Sequence, residues 1–397
     1  MTASPSLPPV ARDELVATRR DLHRHPELGF EETRTSTLVA ERVRALGYEV
    51  RAGVGKTGVV ALRRGGAGRT VMLRADMDAL PIEEANAVPY RSQHPGRMHA
   101  CGHDGHVAIG LEAARRLAGV ALPGSLKLVF QPAEELSSGA EALIRDGVLE
   151  DPSVDAAFGL HLWNELPVGT IGIMPGPIMA SVDELDIAIT GRGGHAAAPH
   201  QTADPVLVAA HLVTALQSLV ARRRDPLEAG VVSITRITAG DAYNVIPARA
   251  ELRGTVRTFG GRFREEVPAL VEQTARGVAQ AFGASVEVRY RRLLDPVVND
   301  ERMARLMSDV AAEIVGSDNV RTGVRTMGGE DMSCFLARAP GCFAFVGSAP
   351  RDRPGAPHHS PTFDIEEESL VIGADLLTRT AVRFLQSGTG DRGRGAG

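Results

Sequence analysis

Four short, almost uninterrupted apolar runs constrain this chain more than any other feature: Thr70–Leu73, Leu126–Phe130, Ala156–Leu160 and Phe343–Val346. Runs of this length and density are what strands buried on both faces require. Helical patterns stand around them, over Glu31–Leu46 with Gly47 as its stop, His106–Leu117, Ala140–Arg145 and Glu367–Leu385. The combination predicts an α/β fold on a mostly parallel central sheet. Three of the runs lead directly into polar chemistry: TVML into RADMDALP, LKLVF into QPAEE and AAFGL into HLW. Open α/β sheets bind ligands beyond the carboxyl ends of their strands, so these three motifs are expected to meet in one crevice.

The middle of the chain follows a different rhythm. Between PGPIMAS (176–181) and LLDPVVND (293–300) the order is strand, helix, strand, strand, helix, strand. The pieces are Asp183–Thr190, Pro205–Arg223, Gly230–Thr238, Ala248–Thr258, Phe263–Phe282 and Ser285–Tyr290. That order suits a small α+β sandwich of the split-βαβ, ferredoxin-like type. With 397 residues, two domains are the natural expectation. Residues 182–295 then form an inserted domain, and 1–181 with 296–397 form a discontinuous first one.

Composition excludes several classes of function. Hydrophobic and charged contents of 43% and 23% are those of a globular protein. The net charge of -5 is mild and the signs are interspersed, so neither nucleic acid nor a membrane surface is an expected partner. No segment reads as a signal peptide or as a span of a bilayer. Three scattered cysteines cannot make a disulfide framework, which points to a reducing cytoplasm. The polar, Gly-rich tail SGTGDRGRGAG is expected to be disordered.

The motifs carry metal-ligand chemistry. HACGHDGH (99–106) packs three histidines, a cysteine and an aspartate into eight positions. Cys101 and His103, two apart, face the same side of an extended segment, and Asp104 suits an N-cap for a helix starting near His106. Each of these residues alone also suits a polar loop; together, before further ligand-type residues at strand ends, they favour a metal. QPAEE sets Glu134 beside Glu135. In extended backbone the two side chains diverge, so that one binds metal and the other faces substrate; equally, they could simply open a helix. His161 ends an apolar strand, HHSPTFD offers two adjacent histidines in a loop, and GRGGHAAAPH places His195 in a glycine-rich turn of the inserted domain.

Nine motifs in order, RRDLHRHPELGFEE, RADMDALPI, HACGHDGH, FQPAEE, GLHLW, GRGGHAAAPH, NVIPARAELRGTVRTF, GGEDMSCF and HHSPTFD, resemble the M20 metallopeptidase family. The likeness is to its amidohydrolase branch of hippurate hydrolases, N-acyl-amino-acid aminoacylases and indole-acetyl-amino-acid hydrolases. The resemblance implies a zinc-exopeptidase-like catalytic domain with an inserted dimerisation or lid domain, and two divalent ions per subunit. The ions would be zinc, manganese, nickel, cobalt or iron. It implies Cys101 as bridging thiolate and His103, Glu135, His161 and His359 as the other ligands, with Asp76, Glu330 and Asp331 as supports. Glu134 would be the general base for a metal-activated water, and His195 an oxyanion donor reaching across from a partner subunit. Asn244 and Arg257 are candidates for holding substrate. One thiolate and one carboxylate against two dications leave about two positive charges, which favours an anionic substrate. The implied activity is cleavage of the amide bond of N-acyl amino acids by a homodimer or higher oligomer. A dipeptidase or carboxypeptidase on the same scaffold, or a metal-binding protein without catalysis, are the alternatives; the second carboxylate, Glu134 beside Glu135, speaks against the last.

Overall fold

Each apolar run forms a strand, and each strand extends beyond the run. The computed structural model describes residues 7–387; apart from Ser387, the Gly-rich tail lies outside them. The order begins with α1 (Arg12–Arg24), α2 (Thr33–Ala45), β1 (Glu49–Val54) and β2 (Gly58–Arg63). There follow β3 (Thr70–Asp76), α3 (His103–Ala118), β4 (Ser125–Gln131), α4 (Gly139–Arg145), β5 (Ala156–Pro167) and β6 (Ile171–Gly172). The middle holds β7 (Gly176–Met179), β8 (Val182–Thr190), β9 (Gly194–His195), α5 (Pro205–Ser218), β10 (Gly230–Ala239), β11 (Val245–Ile246), β12 (Arg249–Thr258), α6 (Gly261–Ala281) and β13 (Ser285–Leu294). Last come β14 (Val297–Asn299), α7 (Glu301–Val315), β15 (Val320–Arg321), α8 (Met332–Leu336), β16 (Gly341–Ala349) and α9 (Glu368–Ser387).

The chain divides into two compact units. The first comprises the residues up to Gly176, Val298–Val324 and those from Asp331 onward; the second comprises Pro177–Val297 and Arg325–Glu330. The division therefore falls at 176/177 and 297/298 instead of 181/182 and 295/296, and a stretch after β15 joins the second unit. Backbone pairing explains the difference: Thr326 N–H donates to Ile178 O, Ala180 N–H to Gly328 O and Ser181 N–H to Thr258 O.

In the first unit an eight-stranded sheet runs in the order β1-β2-β4-β3-β5-β16-β6-β15. Its four central strands, β4, β3, β5 and β16, are parallel. All seven residues of β3 are buried, as a central strand covered on both faces must be. The chain leaves β3 through α3 to reach β4 on one side, then returns through α4 to β5 on the other. Strand order reverses at β3, so a crevice opens at its carboxyl end. Helix α3 lines that crevice and is buried almost all round.

In the second unit the sheet runs β10-β12-β8-β13 with every neighbouring pair antiparallel. With α5 after β8 and α6 after β12, this is the ferredoxin-like arrangement expected. Alternating Leu185, Ile187 and Ile189 on β8 pack against Val208, Leu212 and Leu216 of α5 and Val267 and Val271 of α6. Pro205–Arg223 is, contrary to expectation, long and apolar enough to cross a membrane by length and composition. Within the unit it is α5 followed by a π-turn, Leu219–Arg223, with its inner face in the core.

Candidate metal centre

The cluster is assembled at the crevice of the first unit. Gly102 takes φ +91°, a left-handed turn that glycine adopts without a Cβ clash, and α3 begins immediately after it. The helix thus starts at His103, three residues earlier than the spacing predicts. Asp104 is not the N-cap. It lies in the first turn, where its carboxylate accepts from Arg19 Nε at 2.8 Å and from His23 Nδ1 at 2.8 Å.

After β4 the backbone turns instead of running extended. Ala133 and Ser137 have φ of +51° and +52°, and Ser137 N–H donates to Glu134 O at 2.7 Å. Glu134 and Glu135 share this turn, and α4 opens only at Gly139, so neither the extended nor the helix-opening reading of QPAEE holds. In the loop before α9, His359 N–H donates to Ala100 O at 2.8 Å, which ties HHSPTFD to the cysteine segment. His359 is the half-exposed member of the histidine pair. His358 is the enclosed one, stacked on Trp163 with ring centroids 4.7 Å apart.

These turns bring six predicted residues together. Ligand atoms of Cys101, His103 and His161 lie within 4.8 Å of one another, and so do those of Cys101, Glu135 and His359. The two triads share Cys101. A third group of the same span joins His103, Glu134 and Glu135. Cys101 Sγ is 3.5 Å from His161 Nε2, and Glu135 Oε1 is 3.3 Å from His359 Nε2.

The electrostatics call for a cation. Burial pushes the Cys101 thiol well up, and the charges of Glu135 and Glu134 add to the shift. Burial acts to discharge His103, yet Asp76 and Asp78 push its pKa up to about 10. Burial, with His106 and His358 beside it, keeps His161 neutral and its lone pair available. His103 Nε2 is buried without a hydrogen bond. Sulfur, imidazole and carboxylate donors around an orphaned imidazole nitrogen fit a divalent ion.

Asp78 is a support that the motif reading missed. Its carboxylate accepts the N–H groups of Glu134 at 3.0 Å and Glu135 at 2.9 Å, while its carbonyl accepts from His103 Nδ1 at 2.9 Å. The available signal was its place two residues after Asp76 at a strand end. Asp76, expected as a support, accepts from Arg74 Nη1 and His106 Nδ1, each at 2.5 Å. Asp331 accepts from Arg74 Nη2 at 2.9 Å and Gln131 Nε2 at 2.7 Å, whereas Glu330 belongs to the second unit.

The remaining predicted residues also lie in the second unit. His195 pairs with Val245 in a two-stranded ribbon, β9 with β11, and Asn244 O accepts from Ala196 N–H at 3.0 Å. Both side chains are exposed. Ala197 N–H donates to His195 Nδ1, which leaves the proton on Nε2. Arg257 is half-buried on β12, and burial lowers its pKa despite the charge of Asp183.

The model of peptidase family M20/M25/M40 matches residues 72–383. The chain belongs to this family. It is 39% identical over 381 residues to N-acetylcysteine deacetylase of Bacillus subtilis, covering 94% of this chain and 97% of that one. It is 38% identical over 380 residues to IAA-amino acid hydrolase ILR1-like 4 of Arabidopsis thaliana, covering 94% and 86%. Among solved structures, the Bacillus subtilis YXEP protein, a dinuclear metal binding peptidase of the M20 family, superposes with a TM-score of 0.82. That pair is 36% identical and covers 94% of this chain and 98% of the other. The α/β catalytic fold with a separate antiparallel domain is that of the M20 family, and the chain is a metal-dependent amidohydrolase.

Proposed function

We propose that this M20 enzyme releases an amino acid from an N-acyl amino acid, using two divalent ions held through Cys101, His103, Glu135, His161 and His359. One observation carries the proposal: two ligand triads share a single thiol, with the carboxylate of Glu134 beside them. When bound, the ions supply Lewis acidity toward the amide carbonyl and lower the pKa of water. Glu134 takes the proton of the attacking water and hands it to the leaving amine, so one carboxylate serves as base and then as acid. His195 carries its proton on Nε2 and is the donor for the tetrahedral oxyanion. Asn244 and Arg257 hold the substrate carboxylate. The names of two relatives, a deacetylase of N-acetylcysteine and a hydrolase of IAA-amino acids, support an N-acyl amino acid, whereas two others of like identity are named thermostable carboxypeptidases.

The test is Glu134→Gln, assayed on N-acetyl amino acids and on dipeptides. A general base contributes about 10²–10⁴-fold, so kcat is expected to fall by that factor while two ions per chain remain bound. Unchanged hydrolysis removes Glu134 from the role of base, and faster turnover of dipeptides by the wild type overturns the substrate class.

The proposal includes a homodimer through the second unit. β10 ends the order of its sheet, and α5 beside it exposes Val206 and Leu207 at 45% and 46%. A second copy related by a two-fold axis extends the sheet across this edge and covers the helix face. Light scattering is expected to give twice 42.1 kDa, and a 42.1 kDa species at micromolar concentration refutes the dimer.

A further inference from the structure

A backbone amide explains how His161 is aimed. β3 pairs with β5 only as far as Leu73 opposite Phe158, so the β5 amides beyond that point need another partner on that side. Leu162 N–H finds one in His106 Nε2 at 2.9 Å. An amide can only donate, so His106 Nε2 is bare and the ring proton sits on Nδ1, 2.5 Å from Asp76 Oδ1. Asp76 is in turn held by Arg74. One peptide further on, the carbonyl of the same residue, Leu162 O, accepts from His161 Nδ1 at 2.8 Å and from His358 Nε2 at 3.0 Å. His161 must then present a bare Nε2, and that atom is the one 3.5 Å from Cys101 Sγ.

The other ligands are held differently. His103 is fixed by the Asp78 carbonyl, Glu135 by the Asp78 carboxylate through its own N–H, and His359 by Ala100 O. None of these supports passes through His106.

We infer that His106, backed by Asp76, is a positioning residue that sets the ring of His161 through the backbone of Leu162, whose N–H it holds and whose C=O His161 uses, and so governs the ion of the Cys101–His103–His161 triad and not its neighbour. The inference rests on the two-ion centre proposed above. It makes the two ions unequal in their dependence on a side chain that touches neither.

The test is titration of the metal-free protein with cobalt(II), followed by its absorption spectrum and by metal analysis. Loss of a residue that orients a ligand costs about 10–100-fold in metal affinity. In His106→Leu one equivalent is expected to bind as in the wild type and the other 10–100-fold more weakly, with its spectrum altered. His106→Gln keeps an acceptor for Leu162 N–H and is expected to recover most of the loss. Two equivalents bound by His106→Leu as tightly as by the wild type overturn the inference alone. A wild type that binds fewer than two ions overturns the inference and the two-ion centre together. A purely structural role would lower the melting temperature of metal-free His106→Leu while leaving the ratio of the two affinities intact, and that result also overturns it. Should His106→Leu not fold, nitrogen-15 NMR of the metal-free wild type decides. A coupling across the hydrogen bond between Leu162 N and His106 Nε2 is expected, and a proton on His106 Nε2 overturns the inference.

Discussion

His103 and Asp104 are neighbours on the first turn of α3, and their side chains enter two different buried polar clusters. On the Asp104 side the protein supplies its own cation. Arg19 donates to Asp104 at 2.8 Å and to Asp364 at 2.8 Å, and His23 bridges Asp104 and Glu84 at 2.8 and 3.3 Å. On the His103 side, Glu134, Glu135 and a cysteine surround an imidazole nitrogen that makes no hydrogen bond. Both clusters hold carboxylates and histidines in similar burial. In the first, Arg19 donates directly to Asp104, whereas in the second His103 Nε2 is buried without a hydrogen bond, and that difference separates a structural ion network from a site that accepts an external ion.

The largest effect comes from making the first cluster resemble the second. Arg19→Met leaves Asp104 buried without its guanidinium, and removing one partner of a buried pair costs about 3–5 kcal/mol. Urea unfolding in chelator is expected to show this loss, with the metal stoichiometry of the folded fraction unchanged. Its pH dependence follows from His23. Burial and the Arg19 charge act to discharge that ring, but Asp104 and Glu84 hold its pKa above 6.5. A raised folded value means that the His23 contribution is complete below pH 6.5 and is lost as pH rises through the folded value. In Arg19→Met the imidazolium is the remaining counter-charge of Asp104, so the destabilisation must grow from pH 6 to pH 9. A loss that is flat or shrinking over that range contradicts the charge account.

The opposite change is made at the second cluster. Glu135→Gln removes one of its negative charges, so in chelator the variant is expected to melt no lower than the wild type. With cobalt(II) at 100 times Kd, the wild type gains about 2.7 kcal/mol for each ion bound, and Glu135→Gln is expected to lose most of that increment. A variant that melts lower in chelator and keeps the increment would make the second cluster structural, like the first.

The contrast also marks how far the sequence could be read. The strands were legible because double-sided burial writes itself as uninterrupted apolar residues; Glu134, Glu135 and His161 were legible because each stands where such a run stops, and Cys101, His103 and His359 because histidine and cysteine crowd two short motifs. The hairpin β1–β2 and the helices α1 and α7 went unread. Asp104 looked like a cap because its claimant, Arg19, stands 85 residues earlier in the chain. Asp78 and His106 were overlooked for a related reason. They accept from backbone amides of Glu134, Glu135 and Leu162, which no spacing rule brings next to them. Residue types announce a ligand, whereas the groups that hold the ligand depend on where distant backbone ends up.

Gly102 sits between Cys101 and the two clusters, and it gives the smallest and least selective test. A Cβ added there would meet no atom closer than 3.6 Å, so space is not the obstacle. The obstacle is φ +91°, which costs an L-residue about 1–2 kcal/mol. Gly102→Ala is therefore expected to lower stability by that amount in chelator. Because the turn aims Cys101 on one side and His103 and Asp104 on the other, relaxing the strain would move both clusters together. Both ions should then weaken by the same factor, unlike in His106→Leu, and the Arg19–Asp104 contribution should fall in step. Calorimetry of the single and double variants with Arg19→Met reads this coupling, and strict additivity of the two losses would mean that the helix start holds its place and the strain stays in the turn.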